Sequence, residues 1–188
     1  MLAPCQRPRN AAATREAILK AANRRFSAEG YDQVGVRDVA GDVGVDPALI
    51  SRYFGSKEDL FIAVMEDCGN GSTLTDGPRQ TFGERVAHDL VYGPKKEGKL
   101  EWLLILLRSI SSPKAAEIVQ RQSKANFYQP FTDWVGGENA VVRARLAGGF
   151  IMGLAISRDL TGGFDMKPEE CDAMYKRLAV VLQDLIDG

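Results

Sequence analysis

The sequence predicts an all-α protein with an N-terminal helix-turn-helix domain, a C-terminal helical domain and about nine helices. Apolar residues recur at intervals of three and four along most of its 188 residues. Gly and Pro separate these stretches, and no useful length of chain alternates with the two-residue period of a strand. Its hydrophobic content of 45% and charged content of 26% are typical of a globular protein.

Four helices are predicted in the first third of the chain, over residues 14–29, 36–43, 47–54 and 57 to about 68. Gly30 and Gly44 are expected to end the first two helices, because glycine adopts the left-handed conformation found there. Asp46 is expected to cap the third helix and Ser56 the fourth. The inward-facing residues are predicted to be Ile18, Leu19, Ala22, Phe26, Val36, Val39, Ala40, Val43, Ile50, Tyr53, Phe54, Leu60, Phe61, Val64 and Met65.

Five further helices are predicted over residues 82–92, 100–110, 112–134, 141–160 and 168–187. The helix over 100–110 is so apolar that we expect it to be buried on nearly all sides. The helix over 112–134 is expected to kink near Pro130, since proline lacks the amide hydrogen that a helix interior needs.

Charge is distributed unevenly along the chain. The net charge is −1, but residues 1–57 carry a net +3 and residues 58–188 a net −4. A basic segment beside an acidic one is typical of a DNA-binding domain joined to a regulatory domain. Chance asymmetry in a globular protein remains an alternative.

Two short helices joined by Gly44-Val45-Asp46 indicate a helix-turn-helix. This signal alone is weak, because helix corners occur in every helical protein. The stretches ILKAANRRFSAEGY, VRDVAGDVGV and LISRYFGSKEDLF, however, closely resemble the DNA-binding domain of the TetR (tetracycline repressor) family. The resemblance implies a flexible tail over 1–10, a DNA-binding domain over 11–57 with its motif at about 35–54, and a regulatory and dimerisation domain over 58–188.

The resemblance also implies which residues touch DNA: Gly35, Arg37, Pro47, Ala48, Leu49, Ser51, Arg52, Tyr53 and Lys57. Those at the start of the third helix would enter the major groove, whereas the last three would contact phosphates. Alternatives stay open for three of them. Tyr53 suits a core position, Arg37 suits an ion pair with Asp38, and Lys57 suits a solvated charge.

The reading face departs from the family pattern at four positions. Gly35 stands where Thr or Ser is usual, which removes a hydroxyl contact to phosphate. Asp46 replaces the usual Ser, Ser51 replaces a frequent Tyr, and Leu49 stands where Thr is common. The operator sequence of a relative therefore does not transfer to this chain.

The resemblance implies that the last two helices form a four-helix bundle across a homodimer. The residues expected at that interface are Gly149, Gly153, Met174, Leu178, Val181 and Leu185. Apolar residues from Cys171 to Leu185 follow the spacing of three and four that pairs helices. Packing of this stripe into the chain's own core is the alternative. Arg158 is expected to form a structural salt bridge.

A small-molecule effector is expected among the helices between residues 82 and 150. Aromatic residues gather there, which favours a largely apolar or aromatic ligand. The candidate residues are His88, Trp102, Leu106, Gln122, Asn126, Phe127, Phe131 and Phe150. An ordinary packed core is the alternative for each of them.

These observations predict a ligand-responsive transcriptional regulator that binds a palindromic operator as a homodimer, repression being the commoner behaviour in the family. The helix over 57–68 is expected to move as a lever when effector binds. No catalytic motif, metal-ligand spacing, cofactor site or apolar run of about 18 residues is evident, so we expect a cytoplasmic protein that is neither an enzyme nor a membrane protein. The alternatives are an enzyme or carrier that uses the apolar body, and a redox sensor acting through Cys68 or Cys171.

Overall fold

The computed structural model describes residues 7–69, 74–94, 99–161 and 163–188, and these residues contain helices and no strand. The α-helices are α1 (Arg7–Glu29), α2 (Val36–Val43), α3 (Ala48–Phe54), α4 (Lys57–Gly69), α5 (Phe82–Val91), α6 (Lys99–Ser109), α7 (Pro113–Ser123), α8 (Gln129–Val135), α9 (Ala140–Leu160) and α10 (Pro168–Asp187). A 3₁₀ turn precedes α5, and a π turn joins α7 to α8. If α7, the π turn and α8 are counted as one, the described residues form the predicted nine helices.

The chain folds as two compact units that differ from the predicted domains. The N-terminal unit comprises Met1–Asn70 and Glu101–Gln120, and the C-terminal unit comprises Gly71–Leu100 and Arg121–Gly188. The predicted domain boundary after residue 57 therefore does not coincide with a boundary between the two compact units. The N-terminal unit also contains α4, nearly all of α6 and most of α7, because their apolar faces share its core.

The core of the N-terminal unit is built around three aromatic rings. Phe61 lies edge-on to Phe26 and to Tyr31, with centroid distances of 4.9 and 5.0 Å. Ile105 of α6 and Ile118 of α7 complete this core, each at 1% exposure. Every inward-facing residue predicted from the first four helices lies in this core or packs against it.

The first helix is longer than predicted. It begins at Arg7, so residues 7–10 of the expected flexible tail are helical, and residues 1–6 lie outside the described residues. Ala11, Ala12 and Ala13 explain the extension, because alanine has the strongest intrinsic helix preference. Pro8 is compatible with it, because the first turn of a helix needs no amide hydrogen from that residue.

The core of the C-terminal unit depends on close approach between α5 and α10. A Cβ on Gly83 would lie 2.0 Å from the carbonyl oxygen of Ala179, so only glycine permits this approach. The Gly83 amide donates to Gln183 Oε1 at 3.0 Å, which fixes the register of the two helices. Phe82 and Leu182 lie beside this contact and are fully buried.

Two buried arginines on α9 hold the ends of other helices in the C-terminal unit. Arg158 Nη1 donates to the carbonyl oxygens of Leu90 and Asp89 at 2.7 and 3.1 Å, where α5 ends. Arg143 donates to the carbonyl oxygens of Ile186 in α10 and Gly136 after α8. Cations at helix C-termini satisfy free carbonyls and favour the helix dipole. The predicted salt bridge of Arg158 is a minor part of this role, since its Nε lies 3.6 Å from Asp159.

The expectation that α6 is buried on nearly all sides is wrong. Helix α6 buries Leu103 and Ile105, but Leu107 and the following Ile110 are 50% and 77% exposed, so its apolar run is not covered on all sides. Regular α-helical structure in α7 ends at Ser123, and the π turn Lys124–Tyr128 follows, close to the Pro130 at which a kink is predicted. Pro130 lies in the first turn of α8, where the missing amide hydrogen disturbs little.

Candidate nucleic-acid interface

Helix α2 has well-defined ends. Gly35 has an extended backbone before the helix, and its amide donates to Asp38 Oδ2 at 2.9 Å. This is half of a capping box, because glycine has no side chain with which to return the bond. Gly44 ends the helix in the left-handed conformation at φ 73°, and the chain then turns towards α3.

Helix α3 is held by one buried side chain and one cap. Ile50 is 1% exposed and packs in the core of the N-terminal unit. Asp46 Oδ1 accepts a hydrogen bond from the Ala48 amide at 2.8 Å, which is the predicted capping contact. Pro47 already has helical dihedral angles, although the helix itself begins at Ala48.

The nine residues expected to touch DNA all belong to the N-terminal unit, with different exposures. Arg37, Pro47, Ala48, Ser51 and Arg52 are exposed, whereas Gly35, Leu49, Tyr53 and Lys57 are half-buried. Ala48, Ser51 and Arg52 lie three and four positions apart and therefore share one face of α3. This face lies opposite Ile50 and is free of contacts with the core.

The contacts of Arg37 and Lys57 bear on the alternative roles predicted for these two residues. The carboxylate of Asp38 accepts from Gly35, and no ion pair joins it to Arg37 within the described N-terminal unit. Lys57 Nζ lies 4.4 Å from the centre of the Tyr31 ring, and burial lowers the pKa of this ammonium group. Lys57 is thus held against an aromatic face instead of being a fully solvated charge.

The start of α4 is fixed by a complete capping box. The Asp59 amide donates to Ser56 Oγ at 3.1 Å, and the Ser56 amide donates to Asp59 Oδ2 at 3.0 Å. The predicted cap at Ser56 is therefore present. It sets the position of Lys57 at the first residue of the helix. Tyr53 packs against the core just before this turn.

Two contacts that position α2 and α3 were not predicted. Arg25 of α1 makes a bidentate pair with Asp42 of α2, with Nε and Nη2 at 2.6 and 2.8 Å from its two oxygens. The Arg15 guanidinium lies 4.8 Å from the centre of the Phe54 ring at the end of α3. Both join residues far apart in sequence, so no local pattern indicates them.

The residues predicted to bind an effector are divided between the units. Trp102 and Leu106 belong to the N-terminal unit, and the other six to the C-terminal unit. Phe131 is a core residue at 1% exposure, and Phe127 contacts it at 5.7 Å between ring centroids. His88, Asn126 and Phe150 are exposed, and Asn126 donates to the half-buried Gln122 at 2.8 Å.

A cavity in each unit is lined by none of those eight residues. The cavity of the C-terminal unit measures about 250 Å³ and includes Arg158, Asp165 and Cys171 in its wall. Cys171 is half-buried, and its Sγ donates to the Met166 carbonyl oxygen at 3.9 Å. The side chain of Cys68 lies outside the described residues.

The residues predicted at a dimer interface fall into three groups. Gly149 and Gly153 are exposed, and a Cβ on either would meet no atom within 4 Å. Met174, Val181 and Leu185 are half-buried. Leu178 is a correction: it is 6% exposed and packs inside the C-terminal unit. The inward face of α10 repeats every four residues through Leu178, Leu182 and Ile186, so Leu178 takes the alternative role of packing into the chain's own core.

Helix α9 carries an uncovered apolar face. Val142 and Leu146 are each 55% exposed and Phe150 is 37% exposed, on the same side as the two open glycines. Over 18 residues its mean hydropathy is 1.4, so by length and composition alone this helix is able to cross a membrane. That finding departs from the expectation that no segment of the chain would qualify.

Family models match most of the chain. Residues 18–64 match the N-terminal model of the tetR family of bacterial regulatory proteins. Residues 80–186, more than half of the chain, match a tetracycline repressor-like C-terminal domain.

Known proteins are similar in sequence over short segments and in fold over nearly the whole chain. The transcriptional repressor NicS of Pseudomonas putida is 42% identical over 60 residues, which are 32% of this chain and 28% of NicS. The chain matches 40% or less of the length of its curated relatives. Salmonella enterica GusR has a TM-score of 0.69 at 16% identity, with 94% of this chain and 96% of GusR covered. A Saccharomonospora viridis transcriptional regulator solved in complex with choline has a TM-score of 0.56 at 21% identity, with 92% and 96% covered.

Proposed function

The chain belongs to the tetR family of bacterial regulatory proteins, which are DNA-binding transcriptional regulators, and we propose that it represses transcription as a homodimer on a palindromic operator. The observation that carries this proposal is the helix-turn-helix in the N-terminal unit. Gly44 makes the turn, Ile50 anchors α3, and the face of Ala48, Ser51 and Arg52 remains exposed. A helix held in this way is suited to the major groove.

We assign base reading to the start of α3 and phosphate binding to its flanks. Pro47, Ala48 and Leu49 present small or apolar groups, which suit thymine methyl groups and close approach to the groove. Arg37, Arg52 and Lys57 supply positive charge, and contacts of this kind set register more than sequence preference. Asp38 and Asp46 place negative charges near the same surface, which disfavours additional phosphate contacts.

The uncovered face of α9 supports dimerisation. Glycines at 149 and 153 leave a shallow groove, and Leu146 and Phe150 provide apolar area beside it. Small residues four apart allow a second helix to approach closely, and exposed apolar patches mark interaction surfaces. We therefore propose that the partner subunit covers this face, together with the half-buried Met174, Val181 and Leu185 of α10.

A second copy fits α9 better than a lipid bilayer does. The opposite face of the helix is already buried by Ala144 and Ala147, both at 0% exposure. Arg143 and Arg158 lie near its two ends and bind main-chain carbonyls of other helices in the same unit. A helix with one packed face and one apolar face is typical of an oligomer interface. We infer a cytoplasmic protein, because its proposed partner is DNA.

An effector would act through the separation of the two DNA-binding units. A ligand that binds more tightly to the dimer in which the two DNA-binding units are wrongly spaced must weaken operator binding. The size of this effect is set by the difference between the ligand's affinities for the two states of the dimer. The effector is proposed to be small and largely apolar or aromatic. In the N-terminal unit, Lys114 of α7 contacts Glu58 of α4 at 3.0 Å, so α7 and α4 are expected to move together rather than α4 alone.

Operator binding is tested with the intergenic DNA next to the gene. We expect fluorescence anisotropy to show binding that survives unlabelled competitor DNA and weakens steeply with salt. Ser51→Ala should alter sequence preference, Arg52→Ala should weaken binding to all DNA sequences about equally, and Lys20→Ala on the exposed side of α1 should do neither. Equal affinity of the wild type for operator and unrelated DNA would contradict the proposal.

Dimerisation is tested with a matched pair of glycines. Gly149→Leu adds a side chain to open space, so the chain should fold but elute as a monomer in size-exclusion chromatography with light scattering. Gly148→Leu meets Phe127 and Tyr128, whose ring carbons lie 3.1 and 3.2 Å from the added Cβ, so it should destabilise the chain itself. A dimer unchanged by Gly149→Leu would place the interface elsewhere.

A further inference from the structure

The C-terminal unit contains a small cavity that the proposed DNA-binding surface and dimer interface do not include. It measures about 250 Å³ and opens to solvent. At ~30 Å³ for each molecule of liquid water, it has room for about eight waters or for a ligand of similar size. It lies where the ends of α5 and α9 meet the segment that leads into α10. Its wall includes Val91, Gly93, Arg158, Phe164, Met166 and Cys171.

Arg158 brings a guanidinium group to this wall with only one of its nitrogens engaged in hydrogen bonds. The residue is 5% exposed. Its Nη1 donates to the carbonyl oxygens of Leu90, Asp89 and Gly93 at 2.7, 3.1 and 3.5 Å, and Gly93 is itself part of the wall. Nε is buried without a hydrogen-bond partner, and Nη2 makes no hydrogen bond within the described part of the chain. One edge of a buried cation is therefore unused.

The unused edge of Arg158 has the geometry that binds a carboxylate. Nε and Nη2 carry N–H groups that point the same way, which suits the two oxygens of a planar anion. The chain contains this pairing elsewhere, because Nε and Nη2 of Arg25 bind the two oxygens of Asp42 at 2.6 and 2.8 Å. Asp159 does not do the same for Arg158, since its Oδ1 lies 3.6 Å from Nε, beyond hydrogen-bonding distance. A buried donor without an acceptor is costly, so an anion that supplies the acceptor gains affinity here.

The rest of the wall is mainly apolar. Val91, Phe164 and Met166 are half-buried, and the thiol of the half-buried Cys171 already donates to the Met166 carbonyl oxygen. Covering such side chains with an aliphatic chain removes apolar surface from water, which favours binding. A ligand with a charged group at one end and a short apolar chain therefore matches this wall better than an inorganic anion does.

Negative charges near the cavity limit the charge of the ligand. Asp165 is exposed and lies in the same wall, and Asp159 lies close to the guanidinium group. Like charges repel, so every additional negative charge on the ligand lowers its affinity. Arg158 is the one cation in the described wall, and it can balance a single carboxylate. The site therefore favours a monoanion over a dicarboxylate or a phosphate.

We propose that this cavity binds a short aliphatic monocarboxylate, with its oxygens on Nε and Nη2 of Arg158 and its chain against Val91, Phe164 and Met166. The site lies within the C-terminal unit and does not depend on DNA binding, so it goes beyond the proposed function. The carboxylate is a ligand additional to the largely apolar effector proposed above. Because Arg158 also binds the end of α5, an occupied site fixes the guanidinium group that joins α9 to α5.

The site is tested by titrating sodium butyrate into the full-length protein by calorimetry at constant ionic strength. We expect one saturable site per chain. Butyramide has the same shape without the charge and should bind at least about tenfold more weakly, because hydrogen bonds to a charged group are lost. Phosphate and succinate should also bind more weakly than butyrate at neutral pH, since each carries more negative charge.

Three variants and a control locate the binding within the chain. Cys171→Phe fills the cavity and leaves Arg158 in place, so the protein should fold but lose butyrate binding. Arg158→Lys keeps the charge without the paired N–H groups and should weaken binding about tenfold. Asp165→Asn removes a repelling charge and should tighten binding about threefold, the scale of an interaction between exposed charges. Asp67→Asn makes the same change of charge on α4, in the N-terminal unit, and should bind like the wild type.

The outcomes distinguish a carboxylate site from a cavity that holds water alone. Absence of saturable binding, or equal butyrate binding by the wild type and Cys171→Phe, would overturn the site. Butyramide that binds as tightly as butyrate would show that the carboxylate is not recognised, and weaker binding in Asp165→Asn would contradict the expected repulsion. If circular dichroism shows that Arg158→Lys does not fold, Cys171→Phe and Asp165→Asn decide the question. Failure of the protein to bind operator DNA would contradict the proposed function and leave these results unchanged.

Discussion

The two compact units are held together in different ways. The N-terminal unit has an aromatic core of Phe26, Tyr31 and Phe61, and its helices end at caps formed by residues close in sequence. The C-terminal unit depends on Gly83 and on the buried Arg143 and Arg158, which join segments far apart in sequence. The N-terminal unit adds local caps to distant contacts such as the Arg25–Asp42 pair where it must present a fixed surface, whereas the C-terminal unit fits its helices closely through a glycine contact and buried arginines.

The largest expected effect breaks the closest contact of the C-terminal unit. Gly83→Ala forces a methyl group against the Ala179 carbonyl oxygen, so α5 and α10 must separate. We expect the free energy of unfolding to fall by about 3 kcal/mol, as for an overpacked core. Urea titration in a Trp102→Phe background measures this, because the fluorescence of Trp134 then reports on the C-terminal unit.

Gly41 provides the matched control in the N-terminal unit. It lies inside α2, and a Cβ there meets no atom within 4 Å. Gly41→Ala should therefore stabilise the protein by about 0.5–1 kcal/mol through helix preference alone. A similar loss of stability in both variants would show that the two units do not differ in the way described.

The next effect concerns the buried arginines. Arg158→Met keeps most of the side-chain volume but removes the donors to Leu90 and Asp89, leaving carbonyls at the end of α5 without a partner. We expect a loss of about 2 kcal/mol in the free energy of unfolding, typical of a hydrogen bond to a charged group. The same urea titration measures it.

Arg145→Met tests whether an arginine of α9 stabilises the protein because it lies on this helix or because it is buried. Arg145 is exposed, with its guanidinium 3.9 Å from the centre of the Tyr128 ring. Its loss should cost about 0.5 kcal/mol, as for an exposed cation–π contact. If Arg145→Met were as damaging as Arg158→Met, helix-end binding would not explain the buried arginine.

A smaller effect concerns DNA affinity in the N-terminal unit. Lys57→Gln removes one positive charge from the start of α4 and should weaken operator binding about fivefold, while reducing the salt dependence by about one phosphate contact. Fluorescence anisotropy at several salt concentrations measures both quantities. Lys20→Gln removes an exposed charge that pairs with Glu16 on α1 and should leave affinity unchanged. Equal losses of operator affinity in Lys57→Gln and Lys20→Gln would indicate that only the total charge of the protein determines its affinity for DNA.

The smallest effect is the pH dependence of the contact between α1 and α2. The hydrogen bonds from Arg25 lower the pKa of the Asp42 carboxyl group. A group with a lowered pKa in the folded protein stabilises it above its ordinary pKa of about 3.9 and loses that contribution as pH falls through the folded value. The melting temperature of Asp42→Asn should therefore lie slightly below that of the wild type near neutral pH. The two should converge in acid, once the pH falls below the pKa of Asp42 in the folded protein, and a difference that persists there would contradict the assignment.

Local patterns in the sequence predicted the N-terminal unit well. The ends of α2 and the caps at Asp46 and Ser56 depend on residues within three positions of one another, so they are readable from sequence. The inward faces followed from helical periodicity. The polar residues before Ala11 indicate a flexible tail, whereas the three alanines that follow them favour the helix that extends back to Arg7.

Distant contacts could not be predicted in the same way. Nothing near Gly83 indicates that Ala179 lies against it, and the apolar stripe of α10 has two plausible inward faces that differ by a small rotation. The stripe alone therefore favours a partner contact for Leu178, which packs inside its own unit. The aromatic residues between 102 and 150 are compatible with a pocket or with a packed core, and Phe131 takes the second role at 1% exposure.

The sharing of one core by α1–α4, α6 and α7 has a consequence for chimeric regulators. Transfer of residues 1–57 alone would leave behind Leu60 and Phe61 as well as Ile105 and Ile118, which complete the core around Phe26. A functional exchange of DNA specificity would therefore need either these residues in the recipient or substitution of the exposed side chains of α3 without moving the backbone. For this chain, specificity is more readily exchanged residue by residue than by recombination at the end of the motif.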